Sequence, residues 1–389
     1  MRRLLLSLFL SLATSLLSPI VAADIVVGAA QCELYLGSVE GRRVAIFSNH
    51  TGVVGDKHTL DILIERGVNV VAIFSPEHGF RGSADAGEHV SSSVDPKSGV
   101  PILSLYDGKS KRPSSESMDR FDTLVVDIQD VGLRFYTYYI SMMRLMDSCA
   151  EHGKEVIVLD RPNPNGDYVD GPILDMETLR SGVGALPIPV VHGMTLGELA
   201  QMINGEGWLA EGRRCSLKVV PCRGYTHQTS YTLPIPPSPN LPNMKSIYLY
   251  PSTCLFEGTP VSLGRGTDSP FQIYGHPDFE VCDFSFTPHS RVGATSPPQM
   301  DRLCYGVDLR GLSDREIRRE GINLDYVIDA YRRLNLGDKF FGSMFDLLIG
   351  QRYVREMIIE GCSAEQIESR WRSDVEQFRR DREQYLIYK

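Results

Sequence analysis

The sequence has no second long apolar run after its first two dozen residues, no Cys-x-x-Cys pair, and no basic stripe interleaved with aromatics. Those absences argue against a multi-span membrane protein, against a zinc ribbon or dithiol redox centre, and against a surface that tracks a phosphate backbone. A formal charge of −9 adds to the case against nucleic acid as a partner. Nucleotide and common hydrolase motifs are also missing. The stretch after the first candidate strand, Asn49 to Gly55, offers only Gly52 and Gly55, too little for the Gly-x-Gly-x-x-Gly turn that lets a backbone approach a pyrophosphate. There is no Walker loop, no His-Glu-x-x-His and no Gly-x-Ser-x-Gly elbow, so phosphoryl transfer, zinc proteolysis and the common serine hydrolase chemistry all lose their signatures.

What is present begins with an export signal. Met1-Arg2-Arg3, an apolar run from Leu4 to Val21 and Ala22-Ala23 before Asp24 have the layout of a cleaved signal peptide over residues 1–23. Ser7, Ser11, Thr14, Ser15 and Ser18 dilute the run, and no stop-transfer charges follow it. The expectation is a periplasmic or secreted protein without stable membrane insertion. Cys32 lies well past the run and lacks the small-residue setting of a lipid-anchored cysteine. Of the eight cysteines, Cys215 and Cys222 are the one close pair, so a disulfide between them is the bond to test, with buried free thiols the plainer expectation.

Residues 24–389 exceed one ordinary core, so two domains are expected. The proline-rich run Leu233 to Pro242 marks the passage between residues 24–235 and residues 236–389. Ahead of it, short β-branched runs alternate with helical stretches, as in parallel βαβ units. Candidate strands are Arg43 to Ser48, Val70 to Phe74, Ile102 to Leu105, Thr123 to Ile128 and Val156 to Leu159. Most are apolar on both faces, as strands covered on two sides are. Helical spacing runs from His58 to Arg66 and from Thr137 to Glu151. Near the end, Ser363 and Gln366 form a capping box, and Ile367, Trp371, Val375 and Phe378 read as the core face of a docking helix. The fold class is therefore α/β, a Rossmann-like parallel-sheet domain followed by a smaller C-terminal domain.

In an open parallel sheet, ligands bind beyond the carboxyl ends of the strands. Here those ends run into polar loops: Asn49-His50-Thr51-Gly52, Ser75-Pro76-Glu77-His78-Gly79-Phe80-Arg81-Gly82, a stretch from Asp127 to Tyr138, and Asp160-Arg161-Pro162-Asn163-Pro164-Asn165-Gly166. Carboxylates, aromatics, amides and arginines are the inventory of a carbohydrate site. Glycoside hydrolysis needs an acid for the leaving oxygen and a second group for the cationic sugar. Glu77 is the best acid, although a carboxylate in such a loop can instead satisfy backbone donors. Asp127 and Asp130 compete for the second role, and Asp127 could instead hold a neighbouring loop or an arginine. His78 could orient Glu77 or be structural. Tyr136, Tyr138 and Phe135 could stack on a sugar or simply pack. Arg81, Arg134 and Arg265 could each clamp a carboxylate or tether a loop. Asn163 and Asn165 sit in turn dipeptides.

The motifs Ser75 to Gly82, Asp127 to Tyr138, Asp160 to Gly166, Pro237-Ser238-Pro239-Asn240-Leu241-Pro242, and Leu255-Phe256-Glu257-Gly258-Thr259 with Gly264-Arg265-Gly266-Thr267 together resemble the exo-β-N-acetylmuramidases of glycoside hydrolase family 171. The resemblance implies a Rossmann-like catalytic domain, a smaller C-terminal α+β domain and an active site in the cleft between them. It implies release of terminal N-acetylmuramic acid from the non-reducing ends of peptidoglycan fragments, with no metal and no organic cofactor. On it, Glu77 is the acid, and Asn49, Asn163, Asn240, Glu257 and Arg265 join the aromatics around the sugar. Two rivals stand beside it. An exported sugar-binding protein would use the arginines and aromatics without needing Glu77, and a metal-dependent hydrolase would use His78, Asp127 and Asp130.

Overall fold

A computed structural model describes residues 24–76, 80, 93–105, 112–280 and 282–389. Residues 1–23, read above as an export signal, and the loop positions Glu77, His78 and Arg81 lie outside the described residues. Seven strands build the main sheet: β1 (Arg43–Ser48), β2 (Asn69–Ser75), β3 (Ser93–Val94), β4 (Pro101–Ser104), β5 (Thr123–Asp127), β6 (Glu155–Leu159) and β7 (Ser216–Val220). Their spatial order is β3-β4-β2-β1-β5-β6-β7. All pairs are parallel except the edge pair β3 and β4. The chain reverses its direction of travel across the sheet between β1 and β5, and the crevice at their carboxyl ends is the switch point where such sheets bind ligands.

Both faces of the sheet are covered, which is why the central strands are apolar without alternation. Ala45 and Phe47 of β1, with Leu124 and Val126 of β5, pack under helices α2 (Tyr138–Glu151) and α3 (Leu196–Gly205). Val44, Ile46 and Val125 pack on the opposite face with Leu60 and Leu63 of α1 (Thr59–Glu65). The start of α1 is set by His58, whose side chain accepts from Leu60 N, and that of α3 by a Thr195/Glu198 capping box. The expected strands and helices agree with the observed ones to within a residue or so.

The C-terminal part is α+β. Strands β8 (Ile273–His276), β9 (Ser285–Phe286) and β10 (Cys304–Asp308) form a small antiparallel sheet in the order β8-β10-β9. Around it lie α4 (Met244–Thr253), α5 (Asp314–Glu320), α6 (Asp325–Leu334), α7 (Ser343–Ile349) and α8 (Arg352–Ile359). The expected docking helix is two helices, α9 (Ala364–Glu368) and α10 (Arg372–Arg382). Its Ser363/Gln366 capping box forms and its four apolar residues are buried, but the helix breaks before Trp371, whose indole N–H donates to Asp170 Oδ1 at 3.0 Å. All eight cysteines are free thiols. Cys215 and Cys222 flank β7, and an extended strand of that length separates its ends by roughly 20 Å, far beyond disulfide reach. Among the described residues no helix is long and apolar enough to cross a membrane.

A buried arginine helps to join the two parts. Arg134, completely buried, donates from Nη1 to the carbonyls of Pro172 (2.7 Å) and Ile188 (2.8 Å) and from Nη2 to those of Leu348 (3.0 Å) and Ile349 (2.7 Å). Leu348 and Ile349 end α7, so the guanidinium caps carbonyls that a helix leaves unpaired, at the negative end of its dipole. Gly350 follows in the left-handed conformation (φ +82°), and a Cβ there would come within 2.3 Å of Nη2. Only glycine meets both demands. Replacing Arg134 with Met strands up to four carbonyls and is expected to cost about 3–5 kcal/mol. Chemical denaturation reads this as a lowered midpoint, and a loss below 1 kcal/mol contradicts it.

Candidate active site

The switch-point crevice is walled by turns that the polar strand ends build. Asn49, at the end of β1, accepts from Thr51 N (2.9 Å) and Thr51 Oγ1 (2.6 Å) through Oδ1 and donates from Nδ2 to the Tyr138 hydroxyl (3.0 Å). Thr51 Oγ1 in turn accepts from Gln129 N at 3.0 Å, which ties the loops after β1 and β5 together. Asn163 accepts from Asn165 N (2.8 Å) and donates to Met194 O (2.9 Å), the turn role its sequence context suggested. Both asparagines are buried and brace the loops of the crevice.

The two candidate aspartates have opposite surroundings. Asp127 is fully buried, and Arg161 takes both its oxygens, Nε to Oδ1 at 2.6 Å and Nη2 to Oδ2 at 3.0 Å. Arg161 Nη2 also donates to Val53 O at 2.9 Å, so this bidentate pair holds the β1 and β6 loops against β5. Each oxygen thus has a guanidinium partner, the loop-holding arrangement weighed for this residue in the sequence. Asp130 is 7% exposed. Its Oδ1 accepts from Gly132 N at 2.7 Å, while the buried Oδ2 has no hydrogen-bond partner among the described residues. Gly132 is required at that turn, since its φ is +76° and a Cβ would strike the Asn163 side chain. Burial pushes the Asp130 carboxyl up to about 7.

Beside this lies a cleft of about 690 Å³, counted to its open mouth. Tyr136, Tyr138, Asn240, Glu257 and Arg265, all picked out in the sequence, line it together. Tyr136 and Tyr138 meet edge to face at 4.6 Å, and both hydroxyls donate to Pro237 O, at 2.9 and 3.3 Å. The proline-rich run is therefore pinned across the site, with Pro236 O bonded to His50 Nε2 as well. Arg265 donates to Glu257 Oε1 from Nε (3.1 Å) and Nη2 (2.7 Å). Arg134, by contrast, is spent on backbone carbonyls and does not reach the cleft, which corrects its expected role as a carboxylate clamp. Tyr250 and Phe271 complete the wall and were not singled out from sequence. Phe271 is held in the left-handed region (φ +63°) by bonds from its N to Leu263 O (2.8 Å) and to its O from Thr253 Oγ1 (3.1 Å). Its ring packs on Tyr250 at 4.6 Å and under the Arg265 guanidinium at 5.1 Å. A non-glycine residue at positive φ marks a site that its surroundings over-determine, and no sequence pattern announces it. Among the described residues no group of three or more His, Cys, Asp or Glu side chains could hold a metal ion.

Comparison with known proteins decides the family. The N-terminal family model of exo-β-N-acetylmuramidase NamZ matches residues 44–245 and the C-terminal one residues 248–388. The chain belongs to the exo-β-N-acetylmuramidase NamZ family. It is 38% identical to the peptidoglycan β-N-acetylmuramidase NamZ of Bacillus subtilis strain 168 over 380 residues, covering 91% of this chain and 89% of the relative. Two crystal structures of DUF1343 family proteins from Bacteroides fragilis share the fold. One superposes with a TM-score of 0.89 at 62% identity, the other with 0.77 at 31%, and each match covers 94% of this chain and 99% of the other.

The raised Asp130 is the feature of this NamZ-family crevice that stability reports directly. A carboxyl with a folded pKa near 7 favours the folded state most below its unfolded value near 4, and that contribution is lost as pH rises through 7. Asp130→Asn is therefore expected to raise the melting temperature, and to raise it more at pH 8 than at pH 4. An equal change at the two pH values would show that Asp130 titrates normally.

Proposed function

We propose that the chain is an exo-acting glycoside hydrolase that releases terminal N-acetylmuramic acid from the non-reducing ends of peptidoglycan fragments. The observation that carries the reading is the convergence of Tyr136, Tyr138, Asn240, Glu257 and Arg265 on one cleft at the switch point, in a chain that matches both halves of the NamZ family. A wall of aromatic rings with one charged pair suits a sugar that carries an acid. A non-catalytic binding protein would have no use for an unpaired carboxyl held near neutrality, and burying one is costly. The basic, apolar and Ala22-Ala23 segments of the leader would deliver the enzyme to the compartment that contains its polymer.

In the proposed reaction Glu77 gives its proton to the glycosidic oxygen while the carbonyl oxygen of the 2-acetamido group attacks the anomeric carbon, so that the C1–O bond breaks and a cyclic oxazolinium forms. Asp130, whose buried Oδ2 is without a partner among the described residues, is the group proposed to steady the acetamido N–H and the charge that develops there. Glu77 then takes a proton from water as the water attacks C1 and opens the ring. Two displacements at one carbon give net retention. Purified protein is expected to liberate N-acetylmuramic acid from an N-acetylmuramyl-N-acetylglucosamine disaccharide with the β-anomer formed first, and Glu77→Gln to slow this by about 10²–10⁴-fold. An α-anomer formed first would rule out the acetamido route, and full activity in Glu77→Gln would remove Glu77 as the acid.

N-acetylmuramic acid differs from N-acetylglucosamine by a lactyl carboxylate. Arg81 lies outside the described residues; of the other two arginines considered, Arg265 lines the cleft, and its Nη1 donates to no protein group among the described residues. Glu257 and the Phe271 ring fix the guanidinium plane, which leaves a preformed donor for that carboxylate. Arg265→Ala is expected to lower kcat/KM for the muramyl substrate by about 10- to 100-fold and to leave the slow reaction on a glucosaminyl analogue nearly unchanged. Parallel losses on both substrates would assign Arg265 to the cleft's architecture instead.

A further inference from the structure

A second recess lies beside the cleft and has no role in the reaction above. It measures about 840 Å³ to its open mouth and is built from Met143, Arg144 and Asp147 of α2, from Arg180, Ser181 and Ala185, and from Trp208 with its successors. A single hairpin separates the two hollows. Ser181 N donates to Gly184 O at 2.7 Å to close it, and Ala185 N donates to the Tyr139 hydroxyl at 3.2 Å to fasten it to α2. Val183, within that hairpin, lines the cleft, while Ser181 and Ala185 line the recess. Tyr138 opens α2 at the cleft and Arg144 comes six residues later, roughly 9 Å along the helix axis. The two hollows are therefore consecutive stations along one helix.

The chemistry of the recess is that of an anion site. The guanidinium of half-buried Arg144 and that of exposed Arg180 form no hydrogen bond or ion pair with any described residue. The one acid in the wall does not neutralise them. Asp147 Oδ1 accepts from Ala210 N at 2.9 Å and faces Arg213 Nη1 at 3.5 Å, and its Oδ2 pairs with Arg112 Nη2 at 2.9 Å. Glu151, one turn further on, is held by Arg112 at 2.7 Å. Half-buried Trp208 adds an indole whose N–H has no acceptor among the described residues, a flat face and a donor of the kind sugars and peptides use. Two arginines unpaired among the described residues thus share a walled hollow with a tryptophan, in a chain of net charge −9.

We infer that this recess is a second substrate subsite, which holds a carboxylate-bearing part of the same peptidoglycan fragment beyond the bond being cut. The inference rests on the proposed function. A guanidinium fork takes a carboxylate in two parallel bonds. Such groups come from two sources in this polymer, the lactyl carboxylate of a later muramic acid in the glycan and the free carboxylates of an attached peptide. The subsite would let the enzyme favour longer or peptide-bearing fragments without altering the chemistry at the terminal sugar.

The test compares wild type with an Arg144→Gln/Arg180→Gln double variant, in which neither replaced side chain bonds to another described residue. Three substrates are used: the muramyl-glucosaminyl disaccharide, the corresponding peptide-free tetrasaccharide, and the tetrasaccharide carrying peptides. Disaccharide turnover is expected to be unchanged. A roughly tenfold rise in KM, with kcat preserved, is expected on the substrate that fills the recess. If it occurs on both tetrasaccharides, the lactyl carboxylate is the ligand; if only on the peptide-bearing one, the peptide is. An Arg144→Lys/Arg180→Lys variant keeps the charge and should recover part of the loss. Identical KM values for wild type and the double variant on all three substrates would overturn the subsite. Calorimetric titration of the same fragments into Glu77→Gln protein, with and without the two arginine changes, reads the recess without turnover. Binding that is weakened by those changes supports the subsite even if no N-acetylmuramic acid is ever released, and binding indifferent to them counts against it.

Discussion

The cleft exists because a buried cation holds its two walls together. Tyr136 and Tyr138 reach one wall from the loop after β5, while Leu348 and Met344 reach the other from α7. Arg134, two residues before Tyr136, donates to the carbonyls of Leu348 and Ile349 on one side and of Pro172 and Ile188 on the other. Burying a charge without a carboxylate is expensive, and burial does draw the Arg134 pKa down, to about 10. That value still leaves the guanidinium protonated at neutral pH, so the four bonds persist. Two of them meet the negative end of a helix dipole, which supplies the compensation an acid would otherwise give. Since side-chain rotation cannot relax carbonyls fixed in backbone, the separation of the walls follows from the span of one planar group.

The same geometry explains which parts of the molecule are legible in the sequence. Strands β1, β2, β5 and β6 are buried on both faces, so their unbroken apolar runs announce them. Strand β7 is at the sheet edge with Ser216 exposed and Lys218 half-buried, and the two-residue β3 has no pattern to read. Neither carries the hydrophobic signal of a central strand. Loop chemistry at the strand ends is visible because polar residues there contradict the apolar strands before them. The division of labour among those residues is not. Arg134 and Arg265 look alike in sequence, yet one is engulfed by carbonyls and the other lies open beside Glu257, a difference made by residues more than two hundred positions away. Tyr250 and Phe271 pass unnoticed for the same reason: an aromatic in a core-like run acquires a site only when the second part of the chain folds over it.

Asp127 and Asp130 condense the argument. They are three residues apart on one strand end, are both almost wholly buried, and on intrinsic chemistry are equivalent. Arg161 meets the first with two bonds at 2.6 and 3.0 Å, and the pair becomes a rivet between loops. Among the described residues nothing of opposite charge meets the second, one oxygen is satisfied by Gly132 N, and desolvation pushes its pKa up to about 7. Environments can drive two like groups apart in this way, and on the proposed reaction the first is structural and the second acts on the sugar. The cost of leaving Asp130 unpaired is borne by the whole fold, and selection tolerates such a cost where the group acts on something outside the protein. A mutation that gave Asp130 a permanent cationic partner would stabilise the enzyme and, by restoring an ordinary carboxylate, take from the crevice the property that sets this residue apart from its neighbour.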